Sequence, residues 1–108
     1  MATRTAEQGR AGRADWVGPV LEAGELADAI VEAIRADQPA AVVEDRESYL
    51  RVLSPSPCVL RRAEVERRTG RPFALPFDLE QVMPSFKGRL TIGADQVTWA
   101  LTAHEAGR

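Results

Sequence analysis

The chain has 108 residues, 44% apolar and 28% charged, which is the length of one domain with an ordinary globular composition and excludes disorder throughout. A formal net charge of -2 and a pI near 5.4 exclude a dedicated polyanion binder, because neutralising phosphates requires a dominant basic surface. Cys58 is the only cysteine, so a single chain can form neither a disulfide, a thiolate metal cluster nor a dithiol redox centre.

No apolar run approaches the roughly 18 residues of a membrane span, and the N-terminal residues lack the apolar stretch of a signal peptide. A cytoplasmic protein is therefore expected. The charge is unevenly spread: residues 1–14 carry Arg4, Arg10 and Arg13 against Glu7, net +2, and the remainder is net -4. Residues 1–14 have no apolar periodicity with which to offset their ordering entropy, and a mobile tail is expected there.

Trp16 to Leu21 is apolar and β-branched. Pro19 removes an amide donor and predicts an edge-type first strand. From Glu25 the period changes, and Leu26, Ala29, Ile30, Ala33 and Ile34 mark one buried stripe of a helix over residues 25–36. Glu25 and Asp28 suit its positive end, Arg35 its negative end, and Pro39 follows its stop. Val42-Val43 and Tyr49–Leu53 flank the polar turn Glu44–Ser48, which predicts a hairpin. Ser54-Pro55-Ser56-Pro57 breaks regular structure, and Cys58–Leu60 resumes the sheet.

Ala63–Thr69 reads as a short helix closed by a left-handed Gly70, with Glu64 and Arg68 spaced for an i, i+4 ion pair. Pro72 and Pro76 make the next stretch irregular. Leu79–Met83, Arg89–Ile92 and Gln96–Leu101 then read as strands, with Gly93-Ala94-Asp95 turning between the last two. The sum is an α+β domain over residues 15–103, with six to seven hairpin-rich strands packed on two to three helices, a frayed terminus at 104–108, and no internal repeat.

Several chemistries lack their parts. The only histidine, His104, stands among frayed positions with no nucleophile partner, and Leu101 occupies the place where a Glu-x-x-His iron-binding unit needs its carboxylate. There is no Gly-x-Gly-x-x-Gly, no Gly-Lys-Ser/Thr and no Cys-x-x-Cys, so no bound nucleotide, flavin, iron-sulfur cluster or metal is expected, and no catalytic residue is assigned. Glu44 with Asp45 and Asp78 with Glu80 could be taken for acid/base or calcium pairs, but a solvated turn or strand face accounts for them more simply.

Arg61, Arg62, Arg67, Arg68 and Arg71 raise the alternative of a small nucleic-acid-binding module. Glu64 and Glu66 partly neutralise that cluster and no aromatics interleave for base stacking, so a solvated helix face is the preferred account. A stand-alone isomerase would need a pocket of perturbed titratable groups, which nothing in the sequence indicates. Trp16 and Trp99 read as core or core-edge side chains rather than anchors. Pro84-Ser85-Phe86-Lys87 is different, because a polar, apolar and cationic loop with an exposed phenylalanine has the make-up of an interface anchor, with a Phe86 packed into the fold as the alternative of equal weight.

Four blocks occur in order: Val17-Gly18-Pro19-Val20 with Ala23-Gly24-Glu25-Leu26; Val43-Glu44-Asp45-Arg46 with Tyr49; Gly70-Arg71-Pro72-Phe73; and Ser85-Phe86 with Gly88-Arg89. In these blocks, over about residues 16–101, the chain resembles the effector, or regulatory, subunits of soluble bacterial diiron monooxygenases. The Val-Gly-Pro opening resembles the phenol, toluene and alkene branch. The Ser-Pro-Ser-Pro loop, the missing hydroxylated cap after Arg62 and an apparent one-residue insertion within 74–77 depart from the family pattern.

The resemblance implies a cofactor-free, non-catalytic subunit, monomeric when free. Its partner would be the diiron hydroxylase, whose active-site conformation it would bias by differential binding. It places Pro84, Ser85, Phe86 and Lys87, with Arg71 and Phe73, as the candidate hydroxylase contacts.

Overall fold

The computed structural model describes residues 14–101. Of the tail expected at residues 1–14 all but Ala14 lies outside the described residues, as does the terminus at 104–108, His104 included. Among those described, seven strands and three helices follow the order β1 (Gly18–Glu22), α1 (Glu25–Asp37), β2 (Val42–Asp45), β3 (Tyr49–Leu53), β4 (Cys58–Arg61), α2 (Arg62–Thr69), α3 (Phe77–Val82), β5 (Ser85–Lys87), β6 (Arg89–Ile92) and β7 (Gln96–Ala100). This is the expected α+β class.

The strands form two antiparallel sheets, ordered β2-β3-β1-β5 and β4-β7-β6. The hairpin β2–β3 forms as expected, with Val42 opposite Leu53 and Asp45 opposite Leu50. Strand β2 runs on through Glu44 and Asp45, which the sequence placed in the turn. Asp45 accepts the Glu47 N–H at 2.9 Å, while Arg46 pairs with Glu44 at 3.3 Å.

Two expectations about sheet membership fail. β1 is an interior strand, paired with β3 on one side and β5 on the other. The ladder tolerates Pro19 because the pairs with β3 run from Val20 to Glu22 and return only as a bridge from Val17 to Ser54. The lapse falls on Gly18 and Pro19, where the proline has no amide to donate to β3. At Gly18 the φ is 150° and an added Cβ would stand 2.3 Å from the Val52 carbonyl oxygen, so only glycine lets the two strands approach there. Cys58–Arg61, for its part, opens the second sheet instead of resuming the first. The Ser-Pro loop carries the chain across, with Ser54 buried and doubly bonded to Val17 at 2.8 Å and Ser56 Oγ accepting the Leu101 N–H at 3.0 Å.

Gly88 carries the chain back from β5 to β6 in a single residue. Its φ is 107°, and an added Cβ would lie 2.8 Å from the Val17 side chain and 3.0 Å from the Ala100 oxygen. The sheet-to-sheet step therefore needs a residue without a side chain.

The α1 helix buries Ala29, Ile30, Ala33 and Ile34 as the periodicity predicts, and Ala27 and Val31 as well. The buried arc is wider than a single stripe because α1 packs on β4 and α2 together. Leu26 is only partly buried. Gln38 ends the helix, and its side-chain amide bridges two elements. It donates to the carbonyls of Ile34 at 2.6 Å and Val59 at 3.1 Å and accepts the Val59 N–H at 2.6 Å. A single amide thus takes the place of a neighbouring strand along the outer edge of β4. The α2 helix ends at Gly70, φ 71°, as expected.

Residues 77–82 are helical, not the start of a strand. Leu79, Val82 and Met83 follow an i, i+3, i+4 spacing that six residues barely distinguish from alternation. The local chemistry decides: Asp78 Oδ2 accepts the Ala74 N–H and the Asp78 N–H donates to the Ala74 carbonyl, both at 2.8 Å. This reciprocal pair closes the first turn, and the carboxylate suits the helix dipole. Leu79 is fully buried, and Trp99 lies at 0% exposure in the common core, where its Nε1 finds no acceptor among the described residues.

Candidate docking surface

The segment 85–87 read as a loop from sequence is β5, the edge strand of the first sheet, held in register by Gly18 with Lys87, Pro19 with Phe86 and Val20 with Ser85. Opposed residues in an antiparallel pair share a face and successive residues alternate. Ser85 and Lys87 therefore stand on the outer face beside Val20. Phe86 is in register with the buried Pro19, on the face of the sheet that turns toward the core. It stays 43% exposed because β5 is the margin of the sheet.

On the other side of β1, Arg51 is opposite Val20 and Tyr49 opposite Glu22. The outer face thus gathers Tyr49, Arg51, Ser85 and Lys87 around a floor of Gly18 and Val20, with Phe86 at the border, in an open depression of about 370 Å³. The contrast with the rest of the surface is one of pairing. Each member of the helical arginine cluster has a carboxylate: Arg61 with Asp37 at 2.7 Å, Arg62 with Asp95 at 3.2 Å, Arg67 with Glu64 at 2.7 Å, Arg68 with Glu64 and with Glu32 at 3.6 Å, and Arg71 with Glu25 at 3.8 Å. The Arg67 and Arg68 hydrogen bonds hold the Glu64 carboxyl below its ordinary pKa.

Among the described residues the Arg51 side chain makes no ion pair or hydrogen bond, and Lys87 donates only to the Ala14 carbonyl. Glu44 lies opposite Arg51 in register but holds Arg46 instead. Both unpaired cations are half-buried.

The candidate contacts read from the sequence do not all converge. Pro84, Ser85 and Phe86 are exposed and Lys87 half-exposed along one strand. Arg71 is also exposed, at the end of α2, where it lines a separate groove with Glu25, Asp28 and Glu32. Phe73, by contrast, is 2% exposed and its N–H donates to Glu66 at 2.9 Å, so in the free chain its side chain belongs to the core and does not join the exposed candidates. Sequence reading passed over Tyr49 and Arg51 as contacts, because only pairing through β1 brings β3 next to β5. Phe77, 62% exposed, was passed over as well, since no local pattern marks which phenylalanine a helix leaves outside.

No three histidine, cysteine or carboxylate side chains among the described residues are grouped to hold a metal ion. No helix among them is long and apolar enough to cross a membrane.

The sequence model of the MmoB/DmpM family matches residues 15–100. The chain belongs to the MmoB/DmpM family. Within curated proteins this family member is 41% identical, over 85 residues, to the alkene monooxygenase system effector subunit of Xanthobacter autotrophicus strain Py2, covering 77% of this chain and 83% of that one. The fold is that of a chain in the phenol hydroxylase–regulatory protein complex, with TM-score 0.71 at 17% identity over 81% of this chain and 98% of that one. A second structure of such a complex gives 0.65 at 20% identity, over 78% and 99%.

Proposed function

We propose that this chain is the effector subunit of a bacterial multicomponent diiron monooxygenase, a cytoplasmic, non-catalytic protein that binds the hydroxylase and couples electron transfer to hydrocarbon oxidation. The observation carrying this reading is the 41% identity, across most of both chains, to a subunit named as the effector of an alkene monooxygenase system. The residues themselves agree with it. A domain with its titratable groups spread over surface ion pairs has little means of acid/base or nucleophilic work. An exposed aromatic edge beside unpaired cations suits association with another protein.

The docking surface is assigned to Pro84–Lys87 with the neighbouring outer face of the first sheet. An effector of this kind acts by differential affinity. It stabilises whichever hydroxylase conformer it binds more tightly, and turnover rises only as far as that difference allows.

The alternative of a nucleic-acid module loses its ground on the arginine cluster, where every member is already paired with a carboxylate. The test is titration of the purified chain into the hydroxylase encoded beside it, with binding and product formed per reducing equivalent measured together. Saturable binding with increased coupling is expected. Absence of a complex together with unchanged coupling would refute the reading.

A further inference from the structure

The depression on the outer face has a charge arrangement that specifies what enters it. Across β3, β1 and β5 the residues Arg51, Val20 and Ser85 stand in one row, and Lys87 stands opposite Gly18, two residues along. Neighbouring strands are about 4.8 Å apart, so β3 and β5 flank a gap only two strand spacings wide, whose floor is the low surface of Val20 and Gly18. Lys87 donates to the Ala14 carbonyl and keeps two further N–H donors, so the flexible arginine and lysine side chains rising from the two walls can both reach a group above that floor. Tyr49 and Ser85 add hydroxyls at the rim.

Arg51 and Lys87 are the only half-buried basic side chains among the described residues without a carboxylate. Arg62 and Arg68, equally half-buried, are both paired. Partial desolvation of a cation is costly unless an anion compensates it. The acidic neighbours on the same face do not supply one: Glu44 is held by Arg46, and Glu22 is exposed opposite Tyr49. Residues 15–108 are net acidic, so a carboxylate approaching from solvent is repelled over most of the surface and attracted here.

We propose that this depression is a carboxylate receptor, in which Arg51 and Lys87 clamp one aspartate or glutamate side chain of the hydroxylase. The proposal rests on the effector reading and goes beyond it by naming the group recognised. The arginine offers a planar, two-pronged donor set and the lysine a point charge from the other wall, so a single carboxylate satisfies both. Tyr49 and Phe86 supply the aromatic margin that excludes water from such a pair.

A zero-length carbodiimide, which joins an amine to a carboxylate only when they touch, provides the direct test on the complete effector–hydroxylase complex. Mass spectrometry is expected to find Lys87 joined to one aspartate or glutamate of the hydroxylase. Arg51→Ala and Lys87→Ala should each weaken binding about thirtyfold or more, as loss of one partner of a buried charged pair does. Lys87→Arg should restore most of the loss, and Arg35→Ala, an exposed cation on α1, should bind as the unmodified chain does.

Circular dichroism and melting temperature confirm that each variant is folded. If the complex forms but Lys87 is not cross-linked and both alanine variants bind normally, the receptor is overturned while the effector reading stands. If no complex forms, both fall. Retention of nucleic acid that Arg51→Ala abolishes would overturn the proposal in favour of a polynucleotide.

Discussion

Gln38 offers the sharpest test of how the two halves of the fold are joined. Its amide makes three hydrogen bonds, two to Val59 and one to Ile34, and Gln38→Met keeps the length of the side chain while removing all of them. A net contribution of about 1 kcal/mol per bond, reduced because both residues are half-exposed and water can replace part of it, gives a loss of roughly 2 kcal/mol. For a domain of this size each kcal/mol moves the melting temperature by about 4–8 °C, so a fall of roughly 8–16 °C is expected in calorimetry. Hydrogen exchange should show the Val59 amide losing protection, because its acceptor is the Gln38 side chain. Gln38→Glu keeps an acceptor for that N–H but turns a second oxygen toward the Ile34 and Val59 carbonyls, and it should be no more stable than the methionine variant. A methionine variant that melts within about 3 °C of the unmodified protein, with Val59 still protected, would show that burial around α1 holds β4 without the amide.

Phe86→Ala should leave the melting temperature nearly unchanged, since the side chain is 43% exposed on an edge strand, while hydroxylase affinity drops roughly thirtyfold, the loss of an aromatic anchor of over about 2 kcal/mol; a large fall in melting temperature with normal binding of the folded fraction would make it a core residue. Burial pushes the Cys58 thiol from its ordinary 9.0 up to about 12, against a smaller opposing effect of the Ser54 hydrogen bond. The folded protein therefore disfavours the thiolate. This contribution to stability is whole below about pH 9 and is lost as pH rises from there toward 12. Cys58→Ala should remove that alkaline dependence in denaturant melts. The native protein should also resist an aromatic disulfide reagent at pH 8 until it unfolds.

Much of this protein is local and was legible in the order of its residues. The stripe from Ala29 to Ile34, the Tyr49–Leu53 hairpin arm, the Glu64–Arg68 pair and the left-handed Gly70 each depend on neighbours a few positions away, so periodicity and turn chemistry determine them. The four blocks carrying the family resemblance are likewise linear patterns.

What lay outside that reach depends on contacts between distant segments. Pro19 argued for an edge strand by a sound local rule, yet β1 became the centre of its sheet because the ladder lapses where the proline sits. Residues 77–82 were ambiguous because six residues fit either period, and the Ala74–Asp78 pair decided for a helix. Phe73 and Phe86 are both phenylalanines with a basic residue within two positions. One was buried and the other left outside by where α2 and the sheet margin fell in space. Arg51 joined Lys87 for the same reason: they are far apart along the chain, and only β1, inserted between β3 and β5, makes them the two walls of one depression.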